Sequence, residues 1–426
     1  MTVLPRHLLP INSTIHFGGS LAVGGVDLIT IADAVGTPVF VYDEQHLRQR
    51  CREAVAAWSP GVAYASKAFL CMAMARLAHE EGMHIDVASG GEAWVAMKAG
   101  VPAANLVLHG NNKSDAELVY ALERKIGRIV IDSFEELNRL ERLVPNLEGA
   151  SPPQVLVRVT PGIEAHTHEY VMTGQEDSKF GFSLANGAAA EVVAQARRSA
   201  WVDLVGIHAH IGSQIFTTES FEREVEVLAP FVAEQALPEL VVGGGLGVPY
   251  VEGESAPSIA EWAEAVKQAA KEHGVPPETR ITAEPGRAIV ADAGITLYRV
   301  GTIKEIPGVR TYVSVDGGMS DNPRPVLYGS GYEAFLPRET DAERPLIATI
   351  VGKHCESGDV LVRDARLPAD MVVGDVLATP VTGAYGHSMA SNYNKLRRPP
   401  VVFVQHGTWR TVVRRENYDD LIRLDV

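Results

Sequence analysis

Between residues 60 and 290 the chain alternates eight short runs rich in β-branched residues with helical stretches of about 10 to 20 residues, and nothing else in the sequence constrains the fold as tightly. The runs are VAYASK (62–67), MHIDVAS (83–89), NLVLHG (105–110), RIVIDS (128–133), QVLVRVT (154–160), LVGIHAHIG (204–212), ELVVGGG (239–245) and RITAEPG (280–286). Parallel strands need a crossover between them, here a helix, and eight such units are the content of a (β/α)8 TIM-like barrel. The stretch 113–125 shows the helical half of the pattern: Ser114 is placed to cap it, and Leu118 and Leu122 fall on one face that would pack on the barrel. In such a barrel the reactive groups sit at the C-terminal strand ends, where Lys67, His109, Asp132, His210, the glycines from 243 and Glu284 fall.

After about residue 290 the helices drop out of the pattern. GITLYRVGTIKEI, RTYVSVDGG, RPLIATIVG, MVVGDVLATP and PVVFVQHGTWRTVVRR read as strands of an all-β domain, a β-sandwich or barrel. The opening segment holds a further strand, LAVGGVDL, expected to join that sheet. The second domain is therefore expected to be discontinuous, 1–36 with 291–426, around a barrel of 37–290. Residues 161–179 form the one long barrel loop, and long loops often line sites.

Composition narrows the function. Lys plus Arg total 38 against 53 Asp plus Glu, and a net charge of -15 repels polyanions, so nucleic-acid binding is disfavoured while a local site for a small anion stays open. Three cysteines, Cys51, Cys71 and Cys355, cannot build a disulfide framework and suggest a reducing compartment. The start lacks the pattern of a signal peptide and no run of 18 apolar residues occurs, so the chain is expected to be soluble, cytoplasmic and without a membrane partner.

Several strand ends carry groups with chemical potential, each with a plain structural alternative. Lys67 sits between apolar runs, so partial dehydration would lower its pKa and suit it to Schiff-base formation, although a snorkelling lysine would look the same. GGGLG at 243–247 lets backbone amides converge on a phosphate, or is a tight turn; it lacks the dinucleotide-binding spacing. EPGR at 284–287 offers a carboxylate and a guanidinium, or a local ion pair. His208 and His210 share one side of a strand, a spacing that also suits a metal, but no third ligand cluster follows and no metal is expected. Cys355 and Glu356 read as an ordinary strand end, and GAYGHSMASNYN (383–394) as a shaped loop.

Taken together and in order, YASKAF, HGNNKS, DSKFGFSL, HAHIGSQ, GGGLG, EPGR, DGGMSDNPRPVLY, CESGD and GAYGHSMASNYN strongly resemble the diaminopimelate decarboxylases, over about residues 35–395. That family lies within the alanine racemase-like barrel class of pyridoxal phosphate enzymes. The resemblance implies pyridoxal 5'-phosphate covalently held on Lys67, Glu284 facing the pyridine nitrogen and His210 stacked on the ring, with Asp86 near Lys67. It implies a phosphate held by Ser213, the amides of Gly243, Gly244 and Gly245, the turn at Gly286 and Arg287, and the Tyr385 hydroxyl.

For the substrate, meso-diaminopimelate, the resemblance implies Arg287, Arg324 and Tyr328 on the distal carboxylate, with Tyr385 also lining the substrate site. It further implies Glu356 on the distal ammonium and Cys355 as proton donor. The Cys-Glu pair would reach into a neighbouring barrel, so a homodimer with shared active sites is implied. Decarboxylases of ornithine, lysine, arginine or a carrier-tethered amino acid share the fold but have no use for an arginine clamp on a distal carboxylate. A racemase would leave the Cys-Glu pair idle, and an inactive regulatory protein would be expected to lose Lys67 or the glycine loop, both of which are present.

Overall fold

The computed structural model describes residues 3–163 and 177–426, so most of the loop at 161–179 lies outside the described residues. The chain forms two compact units: a barrel unit of Cys51–Gly247 with Ala256–Ala288, and a β unit of Met1–Arg50, Val248–Ser255 and Ile289–Val426. No helix among the described residues is long and apolar enough to cross a membrane.

In the barrel unit the eight expected runs form eight parallel strands: β1 (Ala63–Ala65), β2 (His84–Val87), β3 (Leu106–Leu108), β4 (Arg128–Ile131), β5 (Gln154–Thr160), β6 (Asp203–His208), β7 (Glu239–Val241) and β8 (Arg280–Thr282). Each pairs with its neighbours in chain order. The ends meet as well, because Ala63 N donates to Ala283 O at 3.1 Å and Ala65 N to Pro285 O at 3.1 Å, which closes the barrel and leaves no open edge. Helices follow the strands: α1 (Met72–Glu80), α2 (Gly90–Lys98), α3 (Asp115–Arg124), α4 (Phe134–Leu143), α5 (Ala188–Arg198), α6 (Glu219–Glu234) and α7 (Ile259–Glu272). The expected cap on α3 is present as a full capping box, Ser114 with Glu117, and Leu118 and Leu122 are buried.

An apolar layer fills the barrel: Ala63, Val107, Val130, Leu156 and Val241 pack together. Side chains on one face of a strand recur every second residue. The next inward positions toward the C-terminal ends are therefore His109 after Val107, Asp132 after Val130, Arg158 after Leu156 and Gly243 after Val241. This two-residue step carries the interior from apolar packing to polar chemistry.

The β unit is built on a mixed sheet ordered Val360–Leu367, Leu346–Val351, Arg310–Val315, Gly294–Ile306, Val39–Asp43, Val401–Gln405 and Thr408–Val413, with Val376–Pro380 also on Gly294–Ile306. Two expectations change here. Residues 37–50 were assigned to the barrel, yet Val39–Asp43 pairs antiparallel with Gly294–Ile306 and parallel with Val401–Gln405, and is buried throughout. The opening strands do not join that sheet but form a three-stranded sheet of their own, Ser13–Ile15, Leu21–Val23 and Val26–Asp27. They still contribute to the same core, where Leu21 and Val23 cluster with Ile295, Leu297, Val402 and Val404.

One buried group on the barrel's outer layer works against stability. Glu224 of α6 is fully buried one turn after Phe221, whose ring packs on Trp262 at 5.1 Å, and neither of its carboxylate oxygens has a hydrogen-bond partner. Burial alone pushes its pKa well above the ordinary 4.5. The folded state thus keeps a proton that the unfolded chain releases above about pH 4.5, so this group's contribution to stability falls as pH rises past that value. Replacing Glu224 with Met should raise the unfolding free energy by about 1–3 kcal/mol at pH 8 and by much less at pH 5. Urea unfolding at both pH values checks this, and an equal gain at each would contradict a buried, protonated acid.

Candidate active site

The mouth of the barrel gathers ionisable groups from four strands around one carboxylate. Glu284, two residues beyond β8, is buried; His109 Nε2 donates to its Oε1 at 2.9 Å and His208 Nε2 to its Oε2 at 2.9 Å. The two imidazoles meet edge to face, 4.8 Å between centroids. Asp86 of β2 approaches His109 Nε2 at 3.7 Å. Potential ligand atoms of His109, His208 and Glu284 all lie within 4.8 Å of one another, a closeness that two imidazole–carboxylate hydrogen bonds impose without any ion.

The charge states differ within this cluster. Burial alone would raise the Glu284 pKa, but His109 and His208 outweigh it and hold the carboxyl well below its usual range. Burial also opposes charge on His109, yet the fields of Asp86 and Glu284 and the bond to Glu284 raise its pKa. His208, with burial dominant, is pushed down to about 4 and donates as a neutral imidazole. Burial likewise lifts Asp86 to about 7, against the pull of His109. An ionised carboxylate clamped between a histidine biased toward its charged form and a neutral one is the state these shifts describe.

Around this centre the expected residues fall as follows. Lys67 occupies the short 3-10 turn Ser66–Ala68 and is exposed, rather than partly dehydrated as its apolar neighbours in sequence suggested, because Ala65 and Ala68 turn inward while its own side chain does not. Its charge reaches Asp86 and His210. Burial, then Lys67, drives the His210 pKa well below its usual value, and Nδ1 accepts from Gly244 N at 3.3 Å. His208 and His210 therefore serve separate partners and do not converge as a pair.

The glycine run packs backbone against backbone. Gly243 has φ +62°, and a Cβ there would lie 2.5 Å from Ala209 O; a Cβ on Gly244 would lie 2.3 Å from Glu284 O. Gly245 and Gly286 are similarly crowded, against Gly212 O and the Ala65 side chain. Arg287, buried and directly after Gly286 in sequence, donates through Nη2 to Ser213 Oγ at 2.9 Å. Guanidinium, hydroxyl and a turned glycine backbone are the donors a phosphate needs, and the ionised Glu284 is what a protonated ring nitrogen needs. The donor set fits pyridoxal 5'-phosphate.

Arg324, Tyr328, Cys355, Glu356 and Tyr385 belong to the β unit. Arg324 is buried, its Nη1 donates to Tyr332 Oη at 2.6 Å, and its guanidinium lies over the Tyr250 ring at 4.3 Å. Among the described residues it forms no ion pair. Tyr328, four residues on, closes the helix Arg324–Tyr328 and is half-buried. Cys355 is exposed and free, and the Tyr393 hydroxyl donates to Glu356 Oε1. Tyr385 holds a positive φ of 61° and is half-buried.

Sequence reasoning assigned no role to His208 beyond its spacing to His210 and did not single out Tyr250, Tyr332 or Tyr393. His208 carried a signal in its strand spacing to His210. The tyrosines carried none: Tyr250 and Tyr393 meet their partners from distant stretches of chain, and Tyr332 meets Arg324 across eight residues without regular periodicity. Asp132, suspected at a strand end, instead faces Arg158 at 3.8 Å and accepts from Gly181 N at 2.8 Å.

Residues 44–291 match the family of pyridoxal-dependent decarboxylases through their pyridoxal-binding domain. The chain is 47% identical to the diaminopimelate decarboxylase of Bacillus subtilis over 425 residues, covering 96% of this chain and 95% of that one. It is 46% identical to that of Halalkalibacterium halodurans, covering 97% of each. Its fold resembles the crystal structure of the M. jannaschii diaminopimelate decarboxylase in complex with L-lysine, with a TM-score of 0.89 and 33% identity over 98% of each chain.

Gly244→Ala should lower the unfolding free energy by about 1–3 kcal/mol, because its Cβ has nowhere to go but into Glu284 O. Gly91→Ala, within α2 and 3.6 Å from its nearest neighbour, should be neutral or stabilising. Urea unfolding of the two variants side by side distinguishes crowding at residue 244 from a general glycine effect.

Proposed function

The chain belongs to the diaminopimelate decarboxylase family of pyridoxal-dependent decarboxylases, and we infer that it converts meso-2,6-diaminopimelate to L-lysine and carbon dioxide, the last step of lysine biosynthesis. The observation that carries the substrate is Arg324. A buried guanidinium stays charged at any ordinary pH, and its described partners are neutral tyrosines. Such a group is costly unless an anion joins it. The distal carboxylate of diaminopimelate is that anion, and ornithine, lysine and arginine have none to offer.

The chain's own residues divide the work. Lys67, exposed at the mouth of the barrel, presents the amine that would hold the cofactor. Ser213, Arg287 and the backbone of Gly243, Gly244, Gly245 and Gly286 would hold its phosphate. Glu284, kept ionised by two histidines, would keep the ring nitrogen protonated, and neutral His210 presents an uncharged aromatic face. When bound, pyridoxal 5'-phosphate supplies a conjugated ring that accepts the electron pair left on the α-carbon as carbon dioxide departs. Cys355 would return a proton to that carbon, and Glu356 would meet the distal ammonium. Tyr328, on the same helix face as Arg324, completes the carboxylate's surroundings.

Two further parts of the reading concern assembly and place. Cys355 and Glu356 are exposed on the β unit, which suits a pair that works in a partner's barrel, so the functional form is a homodimer with shared sites. Three cysteines in 426 residues are too few for a disulfide framework, which suits the reducing cytoplasm.

The protein loaded with pyridoxal 5'-phosphate should decarboxylate meso-diaminopimelate and leave L-lysine, L-ornithine and L-arginine untouched, as followed by carbon dioxide and amine product. Arg324→Ala should raise KM for diaminopimelate about tenfold or more, with a smaller change in kcat. Turnover of a basic amino acid but not of diaminopimelate would remove the clamp assignment; binding without any turnover would favour a regulatory protein. Mixing and re-assembling inactive Lys67→Ala with Cys355→Ala subunits should restore about a quarter of full activity, since half the dimers are hybrids with one intact site. No recovery in verified hybrids would rule out shared sites.

A further inference from the structure

Glu284 has a place in the proposed reaction, but His109 and the buried lysine four residues after it do not. His109 sits just past β3 and faces inward, its backbone N donating to Val87 O at 2.8 Å. Beyond the turn, Lys113 is buried; its ammonium donates to Gly110 O at 2.6 Å and Val130 O at 2.7 Å and pairs with Glu136 Oε1 at 2.8 Å. Its own carbonyl accepts from Arg139 Nη1 at 2.6 Å. A lysine so placed is a strut: it ties the residue next to His109 to β4 and α4 at once. Burying an ammonium is unfavourable, and here one carboxylate and two carbonyls offset the cost. Removing any one of them would leave a buried charge short of a partner, so the arrangement holds its geometry firmly.

We propose that His109, anchored through Lys113 and Glu136, is a positioning residue that fixes the orientation and ionised state of the Glu284 carboxylate against the cofactor's ring nitrogen. This rests on the pyridoxal-dependent reading of the same site. The reasoning is geometric first. A carboxylate with one imidazole N–H on each oxygen cannot rotate without breaking a bond, and each oxygen retains a second lone pair for another donor. The electrostatics agree: the titratable groups facing His109 are Asp86 from β2, Glu284 beyond β8, neutral His208 from β6 and Arg158 from β5, and the two carboxyl groups outweigh Arg158 and burial in favouring the imidazolium. Glu284 and Asp86 both approach the same ring nitrogen of His109, Nε2, at 2.9 and 3.7 Å.

The test uses the cofactor-loaded enzyme and three variants, with the visible absorbance of the bound cofactor titrated against pH beside steady-state kinetics. His109→Phe keeps a flat ring but removes the N–H and the charge. It should lower kcat for diaminopimelate on the order of a hundredfold with KM changed little, and shift the titration of the cofactor band upward by about one pH unit. His109→Gln, which keeps an N–H donor without the charge, should recover most of the lost kcat while retaining the shifted titration. Should His109→Phe fail to fold, His109→Asn, too short to reach Glu284, carries the same expectation. Unchanged kcat and titration in the Phe or Asn variant would overturn the proposal, and so would a Gln variant no better than Phe, which would assign the loss to packing. A wild-type protein that binds no cofactor, or leaves diaminopimelate intact, would instead sink the reading of the site itself, whatever the variants do.

Discussion

An ionised carboxylate buried at the mouth of a barrel is the constraint to which the catalytic half of this molecule answers. Glu284 cannot hold its charge out of water without donors on both oxygens, and His109 and His208 provide them from strands that lie on different sides of the barrel. Those histidines converge only if β3, β6 and β8 keep their register, because a slip of one residue would turn each side chain outward. Closure through Ala63 and Ala65 onto Ala283 and Pro285 fixes the stretch on which Glu284 rides. Gly244 then lies so close under Glu284 O that no side chain fits between them. Strand order, glycine placement and histidine placement are thus three consequences of one buried charge.

The β unit meets the opposite problem. Arg324 is a buried cation whose described neighbours are a hydroxyl and two aromatic rings, a set that steers and desolvates a guanidinium without neutralising it. One unit has completed its ion pairing within the chain, and the other has left a charge to be met from outside. On the proposed reading, that asymmetry separates a group that would tune a cofactor from a group that would select a substrate. Glu284 has both oxygens paired within the chain, whereas Arg324 would gain its counter-charge from a second carboxylate on the substrate.

Much of this was legible in the residues. The eight strands were readable because each is a short β-branched run closed by a polar residue, and β5 matched its run at both ends. The candidate site residues stood out because those of the barrel lie at the ends of its runs and because the order of the motifs along the chain is shared with a known family. What escaped has physical causes. Val39–Asp43 is apolar on both faces, like a parallel barrel strand, and only its partners Gly294–Ile306 and Val401–Gln405 reveal that it belongs to the β unit. Lys67 looked dehydrated because its sequence neighbours are apolar, but a turn rather than a strand carries it, so its side chain escapes their environment. Tyr250 and Tyr332 meet at Arg324 from segments about 80 residues apart, and no local pattern encodes such a meeting.

His109 and Lys113 show a subtler limit. Both stood inside a motif, HGNNKS, whose family likeness was plain, yet the likeness carried no function for either. A histidine and a lysine four residues apart suggest a surface pair or a loop. Only the structure shows that the loop folds back so that the lysine meets two carbonyls and a carboxylate beneath the strand end while the histidine spends its N–H on Glu284. A buried ammonium held by three protein acceptors is not presented to a ligand. Its role is therefore mechanical: from beside a glycine turn it braces three segments of the chain at once.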